Sequence, residues 1–303
     1  MLRASGAFAE LRARNREVTG TAALQRGVNM DALLETYASQ AKRIGKNRFE
    51  VAIPESYLES AWIGDWEASY DIAVRQVRTY LRALPAEQNA AWSAVTGYYA
   101  AFFAVRTLLY GVGVGHRSLP RHGVMGGGLY ELRIGPVKPS VGTVTLECTG
   151  QNGGGSHKAA WKELDALLSL LAAVGGLDMH SLDVVTSTRR LISTPRHVSA
   201  FRNSVNYSLD IASKPVKAWT SELSRLRDAS DLEAAISSAG SPRDENRIEL
   251  LLLASMSWTQ LLYAEYLDRA VRPDRRRHRA RAKAIMADDV GVSAVVARWV
   301  DAR

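Results

Sequence analysis

The chain has one cysteine in 303 residues, Cys148, which excludes an intramolecular disulfide and a multi-cysteine metal site and leaves no basis for redox chemistry. Long hydrophobic runs are missing too. The nearest, Leu250–Leu262, is broken by Ser255, Ser257, Thr259 and Gln260 and reads as a buried helix, not a membrane span. The N-terminal stretch MLRASGAFAELRARNREVTG has no hydrophobic signal region. Although rich in arginine like a transit peptide, it carries Glu10 and Glu17, and it is expected to be an ordinary helix of a cytoplasmic protein. His116 and His122 have no acidic or thiolate partner at ligand spacing; they are expected in a solvated glycine-rich loop, with no metal and no cofactor. GVGVG at 111–115 lacks the Gly-Lys-Ser/Thr ending of a phosphate loop, and no Gly-x-Ser-x-Gly motif occurs. Neither an internal repeat nor helix-turn-helix spacing around a basic recognition helix is visible.

What is present describes a globular chain, 47% hydrophobic and 23% charged, long enough to bury a full core. The net charge of +8 is concentrated: residues 269–283, RAVRPDRRRHRARAK, hold eight Arg/Lys and one Asp, leaving only +1 for the remainder. Such a run is a solvated linker or a nonspecific phosphate-binding arm, in which Arg275, Arg276, Arg277, Arg279 and Arg281 would meet nucleic acid.

Helical spacing is read over Met30–Ile44 and Ala61–Leu84, the latter with Trp62, Trp66, Tyr70, Ala73, Val77 and Tyr80 as its apolar stripe; Pro54 and Pro85 punctuate these elements. Trp92–Tyr110 is apolar nearly all round and is expected to be a central helix. Its one charge, Arg106, is expected to reach a carboxylate or a backbone carbonyl. Gly111–Gly128 is glycine-rich. Leu129–Ile134 and Val141–Cys148 flank the turn PVKPS, and Val144, Leu146 and Cys148 alternate with polar residues, so a β-hairpin is expected there. After QNGGGS, Ser156 is a candidate N-cap with His157 and Lys158 in the first turn. Helix is expected through Ala159–Ala173, Ser181–Ile192, Leu223–Ser238 and Asn246–Val271.

The stretch His197–Leu209, HVSAFRNSVNYSL, puts polar chemistry on a helix with a core side. At about 100° per residue, Val198, Phe201, Val205 and Leu209 share a stripe about 80° wide, Arg202 flanks it at about 40°, and Asn203 and Tyr207 point away.

Three stretches together resemble one family. TGYYAAFFAVRTLLYGVG, with Tyr98, Tyr99, Phe102, Phe103, Ala104 and Arg106, is similar to a helix of HEPN (higher eukaryotes and prokaryotes nucleotide-binding) domains. SHKAAWKELDALL resembles the following HEPN helix, and RNSVNY resembles the motif that carries the family's chemistry, in the Arg-Asn-x-x-x-Tyr form. The resemblance covers residues 60–215. It implies a mainly α protein: a HEPN-like up-and-down helical bundle with an inserted β-hairpin at about 115–155 and additional N- and C-terminal helices. The units would be residues 1–59, 60–215, 216–271 and a basic tail, 272–303.

The resemblance also implies a homodimer whose two motifs form one cleft, and metal-independent ribonuclease activity in a toxin or antiviral defence system. Arg202, Asn203 and Tyr207 would be catalytic, with His157, Lys158 and His197 auxiliary; RNA, including tRNA, would be the substrate. Tyr207 stands where the family's histidine is usual, and a phenol of ordinary pKa near ~10 is a poor base at neutral pH. A second reading therefore stays open: a noncatalytic HEPN scaffold that binds a nucleotide, an antitoxin or a nucleotidyltransferase partner.

Overall fold

The computed structural model describes residues 29–83, 90–121, 124–138, 142–151, 155–174 and 179–193, together with residue 203. Asn29 opens helix α1 (Met30–Tyr37): its side-chain oxygen accepts from the Ala32 amide at 2.8 Å, while Met30, Leu33 and Leu34 turn inward. A short 3-10 turn, Ala38–Gln40, ends the helix, and the chain enters strands β1 (Lys42–Gly45) and β2 (Arg48–Pro54). The helical spacing read over Met30–Ile44 therefore stops at Tyr37. In β2 only Phe49, Val51 and Ile53 are buried, the period of two that one covered sheet face demands.

Helix α2 (Glu55–Ala83) and helix α3 (Ala90–Gly111) pack along each other. Leu58, Trp62, Trp66, Tyr70, Val77 and Tyr80 of α2 enter the core with Tyr98, Phe102, Val105 and Leu108 of α3. Their approach is close enough that a Cβ on Gly97 would lie 2.8 Å from the Tyr80 ring. Strands β3 (Val114–Leu119), β4 (Gly128–Lys138) and β5 (Thr143–Gly150) follow, then helices α4 (Gly155–Val174) and α5 (Met179–Ser193). The five strands form one antiparallel sheet in the order β1-β2-β5-β4-β3.

This α+β arrangement overturns the expected mainly α, HEPN-like bundle with an inserted hairpin. The two hairpin runs do pair, as β4 and β5, but β5 is extended by β2 and β4 by β3. The sheet thus joins chain from before α2 to chain after α3. Two features hid it. The alternation in RFEVAIP spans only seven residues and abuts a 29-residue helix. The glycine-rich stretch contains β3, where Gly115 serves packing: a Cβ there would meet the Tyr110 ring at 3.0 Å and Trp62 at 3.3 Å. Trp62 seals that corner by donating from Nε1 to the Tyr110 carbonyl at 2.9 Å.

Charges fasten the sheet to the helices on both faces. Arg117 of β3 pairs with Asp31 of α1 and Asp65 of α2, each at 2.5 Å. Burial is the largest single influence and opposes the Arg117 charge, but Asp65, Tyr110 and Asp31 together more than offset it, and the guanidinium is held protonated above its ordinary range. On β4, Tyr130, Leu132 and Ile134 are buried, while the alternate residues Glu131 and Arg133 carry charge; Arg133 pairs with Glu131 and, at 2.6 Å, with Glu163 of α4.

Candidate functional site

Two of the three stretches that carry the family resemblance meet between α3 and α4. The first turn of α4 brings His157 onto α3, where its ring stacks on Phe102 with centroids 3.9 Å apart and meets Tyr99 edge-on at 5.7 Å. Tyr98, fully buried, places its hydroxyl 3.0 Å from His157 Nδ1 and receives the Trp161 Nε1 hydrogen at 3.3 Å. Indole N–H is a donor only, so the Tyr98 hydroxyl accepts from Trp161; its contact with His157 Nδ1 runs in the direction set by the imidazole tautomer. His157 is half-buried, and Lys158 beside it is exposed. The helix begins at Gly155, with φ +66°, so Ser156 lies inside the first turn and not at the expected N-cap position.

Arg106 continues this surface along α3. Its neighbours one and two turns back, Phe103 and Tyr99, are half-buried like Arg106 itself, whereas every other residue from 95 to 110 is buried. The guanidinium carbon lies 5.8 Å from the Phe102 ring centre and 5.9 Å from that of Phe103. Its Nη2 donates to the His116 carbonyl at 3.3 Å, one of the two kinds of partner, carboxylate or backbone carbonyl, expected from the sequence.

His116 corrects the solvated-loop expectation. It is 4% exposed, lies in β3 and stands opposite Glu131 in the β3–β4 register. Burial pushes its imidazole pKa down to about 4, against the pull of Glu131 and with the help of Arg106 and Arg133; Nε2 makes no hydrogen bond. The cue missed in the sequence was strand pairing between VGHRSL and GLYELR. Gly115 interrupts the alternation that would have revealed it.

Of the residues singled out in the sequence, the structure brings His157 and Lys158 together at the start of α4, and it shows Asn203 helical and exposed. Arg202, Tyr207, His197 and the tail residues Arg275, Arg276, Arg277, Arg279 and Arg281, like His122, lie outside the described residues. Cys148 is buried in β5, and burial pushes its thiol up to about 12, which suits a core residue and not a nucleophile. Among the described residues no group of His, Cys, Asp and Glu could hold a metal ion, and no helix is long and apolar enough to cross a membrane. Comparison with protein-family models, with curated proteins and with solved structures finds no match in any of the three.

Proposed function

We propose that the protein is a metal-independent ribonuclease of the HEPN type, acting in the cytoplasm as an effector of a prokaryotic defence or toxin–antitoxin system. The observation that carries this reading is the seating of His157 against Tyr98, Tyr99 and Phe102. Residues quoted from two separate stretches for their family resemblance form one contact there, with a half-buried histidine at its edge.

In the proposed reaction the ribose 2′-oxygen attacks the adjacent phosphorus and the P–O5′ bond breaks. The products are a 2′,3′-cyclic phosphate and a 5′-hydroxyl. The 2′-proton passes to a base and the departing oxygen receives one, so no metal or co-reactant is consumed. Arg202 would offer its planar donor fork to the phosphoryl oxygens, and Asn203 and Tyr207 would orient the phosphate or the attacking hydroxyl. His157, His197 and Lys158 are the proton carriers or phosphate contacts available to supplement Tyr207. A homodimer would set two copies of the Arg202 motif across one cleft, where an anion between facing arginines offsets their repulsion.

A second reading draws on the same contact. His157 is stacked and hydrogen-bonded like a structural residue, which suits a noncatalytic scaffold whose cleft binds a nucleotide, an antitoxin or a nucleotidyltransferase. One experiment separates the two. Purified wild type and Arg202→Ala are incubated with tRNA and total RNA in EDTA, and the fragment ends are analysed. Cleavage by wild type alone, leaving cyclic phosphates, is the expected result; an inert wild type over a wide protein range refutes the nuclease.

A further inference from the structure

The sheet carries a second basic element, separate from the C-terminal tail, at its β1 edge. Within Lys42–Arg48, KRIGKNR, there are four cations and no carboxylate. Lys42, Arg43, Lys46 and Arg48 are all exposed. The hairpin is held in shape by its own contacts. Arg43 donates from Nε to the Gly45 carbonyl at 3.1 Å and from Nη2 to the Lys46 carbonyl at 2.8 Å, tying the turn from within. The Gly150 amide donates to the Asn47 carbonyl at 2.7 Å, fixing the tip to the end of β5.

Two carboxylates lie on the sheet behind the tip. Glu50 stands opposite Lys42, and Glu147 approaches Arg48 at 3.6 Å on a side chain that is 57% exposed. They temper the charge at Lys42 and Arg48, while among the described residues Lys46 makes no ion pair. The positive charge is therefore least opposed at Lys46 in the hydrogen-bonded turn, and the exposed Lys42 continues it along the same edge strand although Glu50 faces it.

We infer that the β1–β2 hairpin is a docking surface for the phosphate backbone of single-stranded RNA, with Lys42 and Lys46 as its two phosphate contacts. This deepens the proposed ribonuclease and rests on RNA being its substrate. Lysines on an edge strand also discourage sheet-to-sheet pairing, but that role requires no attraction for a polyanion. Cations carried on the strand edge hold successive phosphates without reading bases, so the hairpin supplies affinity and not sequence choice.

The test measures binding of a fluorescent single-stranded RNA, 2′-O-methylated throughout so that it cannot be cleaved, to the full chain across a salt series. Loss of two phosphate contacts should lower the slope of log affinity against log salt by about 1.4, which is about 25-fold weaker binding at ~0.1 M salt and none near ~1 M. Lys42→Gln/Lys46→Gln should show that loss, and Lys42→Arg/Lys46→Arg should bind like wild type. Arg75→Gln/Arg190→Gln, an equal charge change at exposed helix positions, should leave binding within a factor of about two of wild type.

Equal weakening by both Gln pairs, unchanged binding by the hairpin pair, or a wild type without affinity for the RNA overturns the inference. So does hairpin-dependent binding to phosphatidylserine vesicles without binding to RNA. Failure of the nuclease is read separately: a chain that binds with this hairpin dependence yet cleaves nothing refutes the catalytic reading and leaves the docking surface standing.

Discussion

Removing the imidazole at position 116 should make the protein more tolerant of acid. His116 is buried in β3 with its pKa lowered from 6.5 to about 4, chiefly by burial, while Glu131 acts in the opposite direction. Above pH 6.5 the ring is neutral in both folded and unfolded chains and contributes no pH dependence. Between 6.5 and 4 the unfolded chain binds a proton that the folded chain refuses, so stability falls with pH and levels off below the folded pKa. That difference is worth about 2 kcal/mol at pH 5 and about 3 kcal/mol at pH 4. Urea unfolding of wild type and His116→Leu at pH 7 and pH 5 isolates the effect, because carboxylates that titrate in the same range are common to both proteins. Wild type should lose about 2 kcal/mol more than the variant on acidification, a relative midpoint shift of about 1 M if the urea slope is ~2 kcal/mol/M. Equal losses in the two proteins would show that His116 is reached by water and titrates normally, and the buried placement of β3 against α3 and α4 would then be wrong.

Arg117→Met should cost about 3 kcal/mol, because Asp65, whose side chain is only 10% exposed and whose carboxyl is already pushed above its ordinary range by burial, loses the guanidinium that counters that burial. Adding Asp65→Asn to that variant should recover much of the loss in the same denaturation assay. Gly97→Ala should destabilise by about 1–3 kcal/mol, since the added methyl meets the fully buried Tyr80 ring and not a side chain that can swing away. A melting temperature lower by several degrees is the readout. The Cys148 thiol, buried and held above its ordinary pKa, should resist a thiol reagent at pH 8 in the native protein and react at once in denaturant. Rapid native labelling would contradict the packing of β5.

Long helices were legible in the sequence because their periodicity repeats over many turns. The apolar stripe read through Trp62, Trp66, Tyr70, Ala73, Val77 and Tyr80 is the buried face of α2, and the nearly all-apolar Trp92–Tyr110 lies within α3. The sheet was only partly legible. Val144, Leu146 and Cys148 alternate cleanly with polar residues and are buried in β5, but their neighbour in space is Val51 and Phe49 of β2, far away in the chain, and no local pattern announces that pairing. β3 was hidden for a different reason. Its glycine is demanded by aromatic packing on Tyr110 and Trp62, yet in sequence a glycine beside other glycines reads as a loop. The same misreading concealed His116, whose burial depends on pairing across to Glu131. At the candidate site, the proximity of Tyr98 and His157 could not be derived from spacing, since they stand 59 positions apart with three strands of sheet between them; only the family resemblance linked their two stretches. The four cations of KRIGKNR are plain in the sequence, but their place on one exposed sheet edge depends on the pairing of β1 with β2.

In the proposed reaction this chain breaks RNA through the substrate's own 2′-hydroxyl, without a metal. The most direct measurement sets two versions of one RNA side by side in EDTA, unmodified and 2′-O-methylated throughout, with wild type and Arg202→Ala. Cleavage of the unmodified RNA by wild type alone, with a cyclic phosphate on the upstream fragment, is the expected result. Cleavage of the methylated RNA, or of neither RNA at any protein concentration, would contradict it.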